Sequence, residues 1–321
     1  MSLRWGILST ARISTLLLQS GSGQEFVAVA SRDLDRGRAF AAEHGLERAY
    51  GSYEELLADP DLDAIYNPLP NSLHVPWSIR ALEADKHVLC EKPMSRRPEE
   101  VEAAFDVAQR EGRVLAEAFM WRHHPQLRRA RELMAEGAVG RLALVRAAFS
   151  FVATEPDIRL RADLDGGGLM DVGCYCVSGC RAIAAAEPER VYAEQVVGGE
   201  GVDVALVATL RFPGDVLGLI DCGLALAARD ELEIVGDAGS LWLDDPWHGR
   251  GAVIEVRPHR GAPERVEAGH ANAYALELAD FEAAVRGERE PLLDRSDALG
   301  QARTIAALYD SAERGAPCPT A

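Results

Sequence analysis

Lys86 and Lys92 are the only two lysines in a chain that carries 34 Lys and Arg residues. The remaining cations are all arginine, so each surviving lysine is informative. Arg keeps its proton at any working pH, whereas Lys shifts its pKa and can transfer one. Both lysines are therefore marked for proton chemistry. A second chemistry is suggested by Ser9-Thr10-Ala11-Arg12-Ile13-Ser14. Dinucleotide folds carry GxGxxG or GxGxxA between their first strand and helix. Here Ser9, Ala11 and Ser14 hold the three glycine positions. Small side chains still let the backbone approach a pyrophosphate while a helix N-terminus faces the anion. Taken alone, the segment also fits an ordinary strand–helix turn. The end of the next strand discriminates. NAD binders place Asp or Glu there for the ribose hydroxyls. This chain has Ser31-Arg32, which would hydrogen-bond and neutralise a 2′-phosphate, and Arg12 adds a second positive charge. The pattern predicts NADP rather than NAD, against the alternative of a solvated Arg on an Arg-rich surface.

The elements that must position these residues are legible. In the first third, apolar runs at Leu3–Leu8, Phe26–Ser31, Ala64–Tyr66, His87–Cys90 and Val114–Ala118 read as strands. Helical periodicity separates them at Arg12–Ser20, Leu34–His44, Tyr53–Leu57, Leu73–Ala84 and Pro98–Arg110. Gly21-Ser22-Gly23 and Gly45 close the first two helices. Alternation of this kind predicts an α/β Rossmann domain with a doubly wound parallel sheet. After Trp121 the pattern changes. Helices are expected at Pro125–Glu136 and Asp171–Ala186, and a long strand at Ala143–Phe151. Strands then follow without helices at 191–197, 204–212, 216–226, 232–235, 240–243 and 253–257. This predicts an antiparallel meander, and two helices, Tyr274–Val285 and Ala298–Glu313, close the chain. The expected organisation is a nucleotide domain at 1–121 and an α+β domain at 122–321.

Composition excludes several function classes. At 321 residues and 48% hydrophobic, the chain can bury two cores. A net charge of −17 repels phosphate backbones, so no nucleic-acid partner is expected. No apolar run approaches the ~20 residues that span a bilayer, so no membrane partner is expected. The N-terminal Met1-Ser2-Leu3-Arg4-Trp5 enters a strand with no basic-then-apolar leader. With only six cysteines, the expectation is a cytoplasmic protein without a disulfide framework. Cys174, Cys176 and Cys180 lack paired CxxC spacing, and His123-His124 lack a second ligand set, so no metal is expected. The three cysteines read as small buried thiols on a helix.

These motifs together carry a resemblance. Glu91-Lys92-Pro93 after the fifth strand resembles the EKP motif of the Gfo/Idh/MocA oxidoreductases. The upstream run from Asn71-Ser72-Leu73-His74 to Lys86–Cys90 is similar too. The segments 117–125 and 166–175 resemble the branch holding the dimeric trans-dihydrodiol dehydrogenases and the NADP-dependent D-xylose dehydrogenases. The resemblance covers nearly the whole chain. It implies a Rossmann domain followed by a domain with an open, mostly antiparallel sheet, through which subunits commonly associate as a homodimer or homotetramer. It implies Lys92, Asp171 and Tyr175 as the residues facing the substrate. It also extends the cofactor-binding set to Pro68, Asn71, His74, Glu91, Trp121 and Arg122. Many members have His where this chain has Tyr175, which places it nearer the sugar and dihydrodiol dehydrogenases than inositol dehydrogenase.

The chemistry these residues permit follows from the phenol. Oxidising a secondary alcohol needs a base for the hydroxyl proton, and a phenol with pKa ~10 is a poor one at neutral pH. A neighbouring ammonium favours the phenolate and lowers that pKa. Tyr175 with Lys92 would meet the need. Asp171, four residues before Tyr175, would share its helix face and orient the substrate, hold Lys92, or cap the helix. The expected function is an NADP-dependent oxidoreductase acting on a hydroxyl-bearing carbon of a sugar or cyclic diol. The alternatives are a non-catalytic NADP-binding regulator and a dehydrogenase of the same family for another sugar class, such as a nucleotide-sugar. Residues 154–165 and one face of the second sheet are expected to shape the pocket.

Overall fold

The computed structural model describes residues 2–21 and 23–320; Met1, Ser22 and Ala321 lie outside the described residues, and with them the first residue of the N-terminal segment and the middle of the Gly21–Gly23 turn. Six short strands, β1 (Arg4–Leu8), β2 (Glu25–Ala30), β3 (Arg48–Tyr50), β4 (Ala64–Asn67), β5 (His87–Glu91) and β6 (Leu115–Ala118), pair in the order 3-2-1-4-5-6, every pair parallel. Strand direction reverses its winding between β1 and β4, the switch point at which doubly wound sheets bind ligands beyond their strand ends. The intervening helices are α1 (Arg12–Leu18), α2 (Leu34–His44), α3 (Tyr53–Leu57), α4 (Asn71–Glu83) and α5 (Pro98–Glu111). Local chemistry sets their ends. Asp33 caps α2 by accepting from the Asp35 and Arg36 N–H groups, and Gly45 closes it at φ 70°. Ser52 caps α3, and Pro98 opens α5 where a missing N–H costs nothing.

The chain divides into two compact units, Met1–Met120 with Tyr274–Leu299, and Trp121–Ala273 with Gly300–Ala321. The segment Tyr274–Leu299 thus groups with the first unit, where the sequence reading keeps all of 122–321 together. Its helix α8 (Ala273–Val285) buries Leu278 and Phe281 against Trp5, Ile7, Val29 and Tyr66. Trp5 also donates its indole N–H to Glu282, 3.2 Å away and buried. Helical periodicity shows that α8 is buried, but not in which core.

In the second unit, α6 (Pro125–Ala135) precedes β7 (Leu142–Val152), and α7 (Cys174–Ala184) precedes β8 (Arg190–Val197), β9 (Asp203–Arg211), β10 (Leu217–Gly223), β11 (Ala225–Gly236), β12 (Gly239–Asp244), β13 (Val253–Pro258) and β14 (Glu264–Glu267). The helix α9 (Arg295–Arg314) and β15 (Cys318–Pro319) end the chain. The nine-stranded sheet runs β14-β13-β12-β11-β7-β10-β9-β8-β15. It is antiparallel except for β7 and β10. It is therefore not the simple meander expected: β7 inserts between β10 and β11, and the single residue Leu224 links those two strands past the end of β7, its carbonyl accepting from Ala153 N–H. One face of the sheet is covered by α7, whose Cys174, Cys176 and Cys180 are buried free thiols. No helix among the described residues is long and apolar enough to cross a membrane.

Candidate active site

At the end of β1, Ser9 adopts φ 86°, a left-handed conformation that glycine takes without strain, and its N–H bonds to Ala30 O. The backbone of a glycine-type turn is thus present although the residue is serine. Thr10, Ala11 and Ile13 are half-buried around it and Arg12 is exposed. Ala11 precedes α1 and offers no side-chain cap. At the end of β2, Ser31 is buried, and its Oγ accepts from Asp33 N–H at 3.2 Å. The nearest acid in sequence, Asp33, is taken up in capping α2. Arg32 is exposed with its charge near the Tyr53 phenol, and Arg36 adds positive charge there. No carboxylate stands where NAD binders need one, and two guanidinium groups gather there instead. These residues fit a phosphorylated dinucleotide; Arg36 escaped the sequence reading because it lies inside a helix whose start was assigned on apolar periodicity.

The two lysines separate cleanly. Lys86 is buried and donates to the Asp59 and Leu62 carbonyls, each at 2.8 Å, so it ties loop to strand. Lys92 is half-buried at the end of β5, in front of a cis Lys92–Pro93 peptide. Its loop is held from three directions. His74 Nδ1–H donates to the Pro93 carbonyl at 2.9 Å. Tyr66 donates its phenol to Glu91 Oε1 at 2.6 Å, and Glu91 Oε2 accepts from Lys92 N–H. Met94 N–H donates to the buried Glu117. Burial holds His74 down at about 4, and the charge of Lys92 adds to this, so the ring is neutral. His74 thus positions the loop. Asn67 accompanies it, donating from Nδ2 to His74 O and Ser78 Oγ; Pro68 is buried and Asn71 half-buried at the start of α4. Behind Glu91 lies Glu277 of α8, with Oε1 unpaired among the described residues. Burial, reinforced by the Glu91 and Asp280 carboxylates, pushes its carboxyl well above the usual range. The sequence signal was there: α8 carries three acids in an otherwise apolar stretch.

Of the three residues expected to face the substrate, Asp171 and Tyr175 belong to the second unit. Tyr175, in the first turn of α7, is half-buried with its ring edge-on to Phe149 at 5.4 Å and 6.0 Å from Trp247. Trp247 in turn packs edge-on against Trp121 at 5.1 Å. Trp121 is buried, its indole N–H unpaired among the described residues, and Arg122 reaches Ser178 of α7. His124 caps α6 by accepting from Gln126 N–H and is buried. Asp171 lies in a π-helical turn, Leu169–Gly173, that enters α7, and its carboxylate pairs with Arg159 at 2.9 Å. It does not cap the helix, because α7 has no side-chain cap. The turn is pinned from β9: Asp203 accepts from Leu169 N–H at 2.6 Å and from the Tyr309 phenol at 2.9 Å. Gly167, at φ 128°, lies so close to Asp203 Oδ1 that a Cβ there would collide with it. Arg159 and Asp203 were not picked out from sequence, since neither spacing nor motif connects them to Asp171.

A parallel 3-2-1-4-5-6 sheet with a phosphate-compatible first turn, followed by a mixed sheet whose covering helix α7 carries Tyr175, defines a nucleotide-dependent oxidoreductase. Residues 6–119 match the GFO/IDH/MocA oxidoreductase family with its NAD-binding Rossmann fold, and residues 127–242 match the GFO/IDH/MocA C-terminal domain; the chain belongs to this family. It is 36% identical to a D-xylose 1-dehydrogenase (NADP(+)) of Haloferax volcanii over 98% of both chains. It is also 36% identical to the trans-1,2-dihydrobenzene-1,2-diol dehydrogenase of Danio rerio, over 75% of this chain and 74% of that one. Among solved structures, KijD10, a 3-ketoreductase from Actinomadura kijaniata in complex with NADP and TDP-benzene, superposes with a TM-score of 0.92 at 31% identity, covering 97% of this chain and 98% of that one.

Proposed function

We propose that this protein is an NADP-dependent dehydrogenase acting on a hydroxyl-bearing carbon of a sugar or cyclic diol. The observation that carries the reading is the end of β2, where Ser31, Arg32 and Arg36 replace the ribose-binding acid and Asp33 is committed to a helix cap. The names of the relatives support both the cofactor and the substrate class. Ser9–Ile13 would hold the pyrophosphate, Ser31 and Arg32 the 2′-phosphate, and the β4–α4 and β5 loop ends the nicotinamide side. NADP, when bound, supplies the hydride acceptor in oxidation and the donor in reduction.

The protein's own part is proton management. Tyr175 takes the hydroxyl proton in oxidation and returns it in reduction. Lys92 stabilises the phenolate form and so brings the phenol into the working pH range. Asp171, fixed by Arg159, orients the substrate hydroxyls. The half-buried phenol between Phe149 and Trp247 supports this assignment. A titration of nucleotide-free protein with NADPH and with NADH, followed by fluorescence, tests the cofactor half. Tight, selective NADPH binding is expected; binding of neither would favour a regulator on a degenerate fold.

The reading includes self-association through the outer face of the nine-stranded sheet, where Val207, Leu217 and Leu219 are 53%, 43% and 41% exposed. Light scattering of Leu219→Glu against the parent would report the loss of a dimer or tetramer. A cytoplasmic location is supported by six cysteines that are all free thiols.

A further inference from the structure

Phe149 contacts two rings. One is Tyr175; the other is His248, edge-on at 5.6 Å. The Tyr175 and His248 rings are therefore no more than about 11 Å apart, both packed on one phenyl group. His248 lies in the loop between β12 and β13. Its Nδ1 is 2.5 Å from Asp230 Oδ2 and 3.3 Å from Asp245 Oδ1. Carboxylate oxygens only accept, so Nδ1 carries the hydrogen, and in the tautomer this selects Nε2 is the acceptor. Asp230 is itself fixed, its Oδ1 accepting from Trp247 N–H at 3.2 Å. The Asp230 side chain is 15% exposed and that of His248 is 41% exposed. A carboxylate thus orients an imidazole whose outer edge is open to solvent. Asp230, Asp245 and His248 also bring ligand atoms within 4.8 Å of one another. Arg250, however, already grips Asp245 through its backbone N–H, Nε and a terminal nitrogen. The positive charge that a cation would bring is in place.

We propose that His248 Nε2 accepts a hydrogen bond from a substrate hydroxyl remote from the reacting carbon, so that the site selects polyhydroxylated sugars over simple diols. This rests on Tyr175 marking the reacting carbon. A sugar bearing several hydroxyls bridges from Tyr175 across Phe149 to His248; a vicinal diol engages Tyr175 and leaves His248 in water. Asp230 is a positioning residue, since it acts through the tautomer it imposes.

The test uses the full chain saturated with NADPH and 13C-labelled at histidine, titrated with D-xylose and with trans-1,2-cyclohexanediol. The His248 Cε1–H signal, assigned from its loss in His248→Gln, is expected to move with the sugar and stay put with the diol. Sugar Kd should rise about tenfold in His248→Leu, the loss of one hydrogen bond. It should rise less in His248→Gln, whose amide oxygen reaches the Nε2 position, while diol Kd changes less than twofold in both. Asp230→Asn should weaken the sugar as well and move the His248 Cε1–H signal of the sugar-free protein. Unfolding temperatures check that each variant is folded. The proposal is overturned if D-xylose leaves the His248 signal unmoved or fails to bind the folded holoenzyme. It is also overturned if sugar and diol weaken alike, or if micromolar Zn2+ or Mg2+ moves the signal and sugar binding depends on that ion. Turnover is measured separately. Sugar binding at His248 without hydride transfer would sink the proposed dehydrogenase and leave His248 assigned; turnover with an unmoved signal would do the reverse.

Discussion

Replacing Arg32 with alanine separates the two cofactors on one side chain. Arg32 is exposed, stands at the end of β2 beside buried Ser31, and lies near the Tyr53 phenol. A charge-assisted hydrogen bond contributes about 1.5–3 kcal/mol, and exposure puts this one toward the lower end. Arg36 remains and supplies part of the lost attraction. A loss of about 2 kcal/mol corresponds to a roughly 30-fold rise in the NADPH Kd. NADH lacks the 2′-phosphate and should weaken less than about twofold. Quenching of protein fluorescence, or enhancement of nicotinamide emission, gives both constants on one sample. Raising the salt concentration should shrink the parent's preference, because an exposed charge pair is screened. Ser31→Asp should move selectivity the same way by repulsion. Equal weakening of NADPH and NADH by Arg32→Ala would refute the argument, and Arg32 would be an ordinary surface cation.

Other expectations follow from the same geometry. Lys92→Ala should lose at least 100-fold in kcat with little change in NADPH affinity, and Tyr175→Phe should remove a rate-controlling group that titrates below pKa ~10 from the pH profile; retained turnover in either variant would remove that residue from the chemistry. Glu277 is held neutral, with its carboxyl pKa raised by burial, Glu91 and Asp280, so its contribution to stability is full below about pH 4.3 and is lost as pH rises through the folded value. Glu277→Gln should therefore gain on the parent in unfolding temperature, by a few degrees, as pH goes from 5 to 9, and a constant gap between the two would count against it. Burial keeps His74 and His87 neutral down to about 4, whereas the unfolded chain takes up protons near 6.5. Stability should accordingly fall as pH drops from 6.5 to 4, and His87→Asn should flatten that slope in chemical denaturation.

The nucleotide unit was legible because its strands are buried on both faces and its helices carry period-3.6 patterns between turn residues. What was missed there was β3, three residues long, and the second unit's β14, whose Glu-Arg-Val-Glu has a single apolar residue. The strand order of the second sheet was not legible at all, since alternation reports a strand's faces and not its neighbours. At the site, the types at Ser9, Ser31 and Arg32 carried their meaning directly from charge and size. His74 carried a further role that its motif does not announce: its ring holds the Pro93 carbonyl. The partner of Asp171 was hidden too, because Arg159 reaches it through a loop that sequence spacing does not describe.

The return of α8 to the first unit has a consequence for synthesis. Leu278, Phe281 and Glu282 complete a core begun by Trp5, and 277 residues separate Trp5 from the carboxylate that receives its indole N–H. A ribosome that has released residues 1–121 has therefore exported a nucleotide domain without part of its interior. That half-made domain must wait, with an apolar flank uncovered, until the last seventh or so of the chain emerges. A gene fragment cut at the apparent boundary would remain in that waiting state.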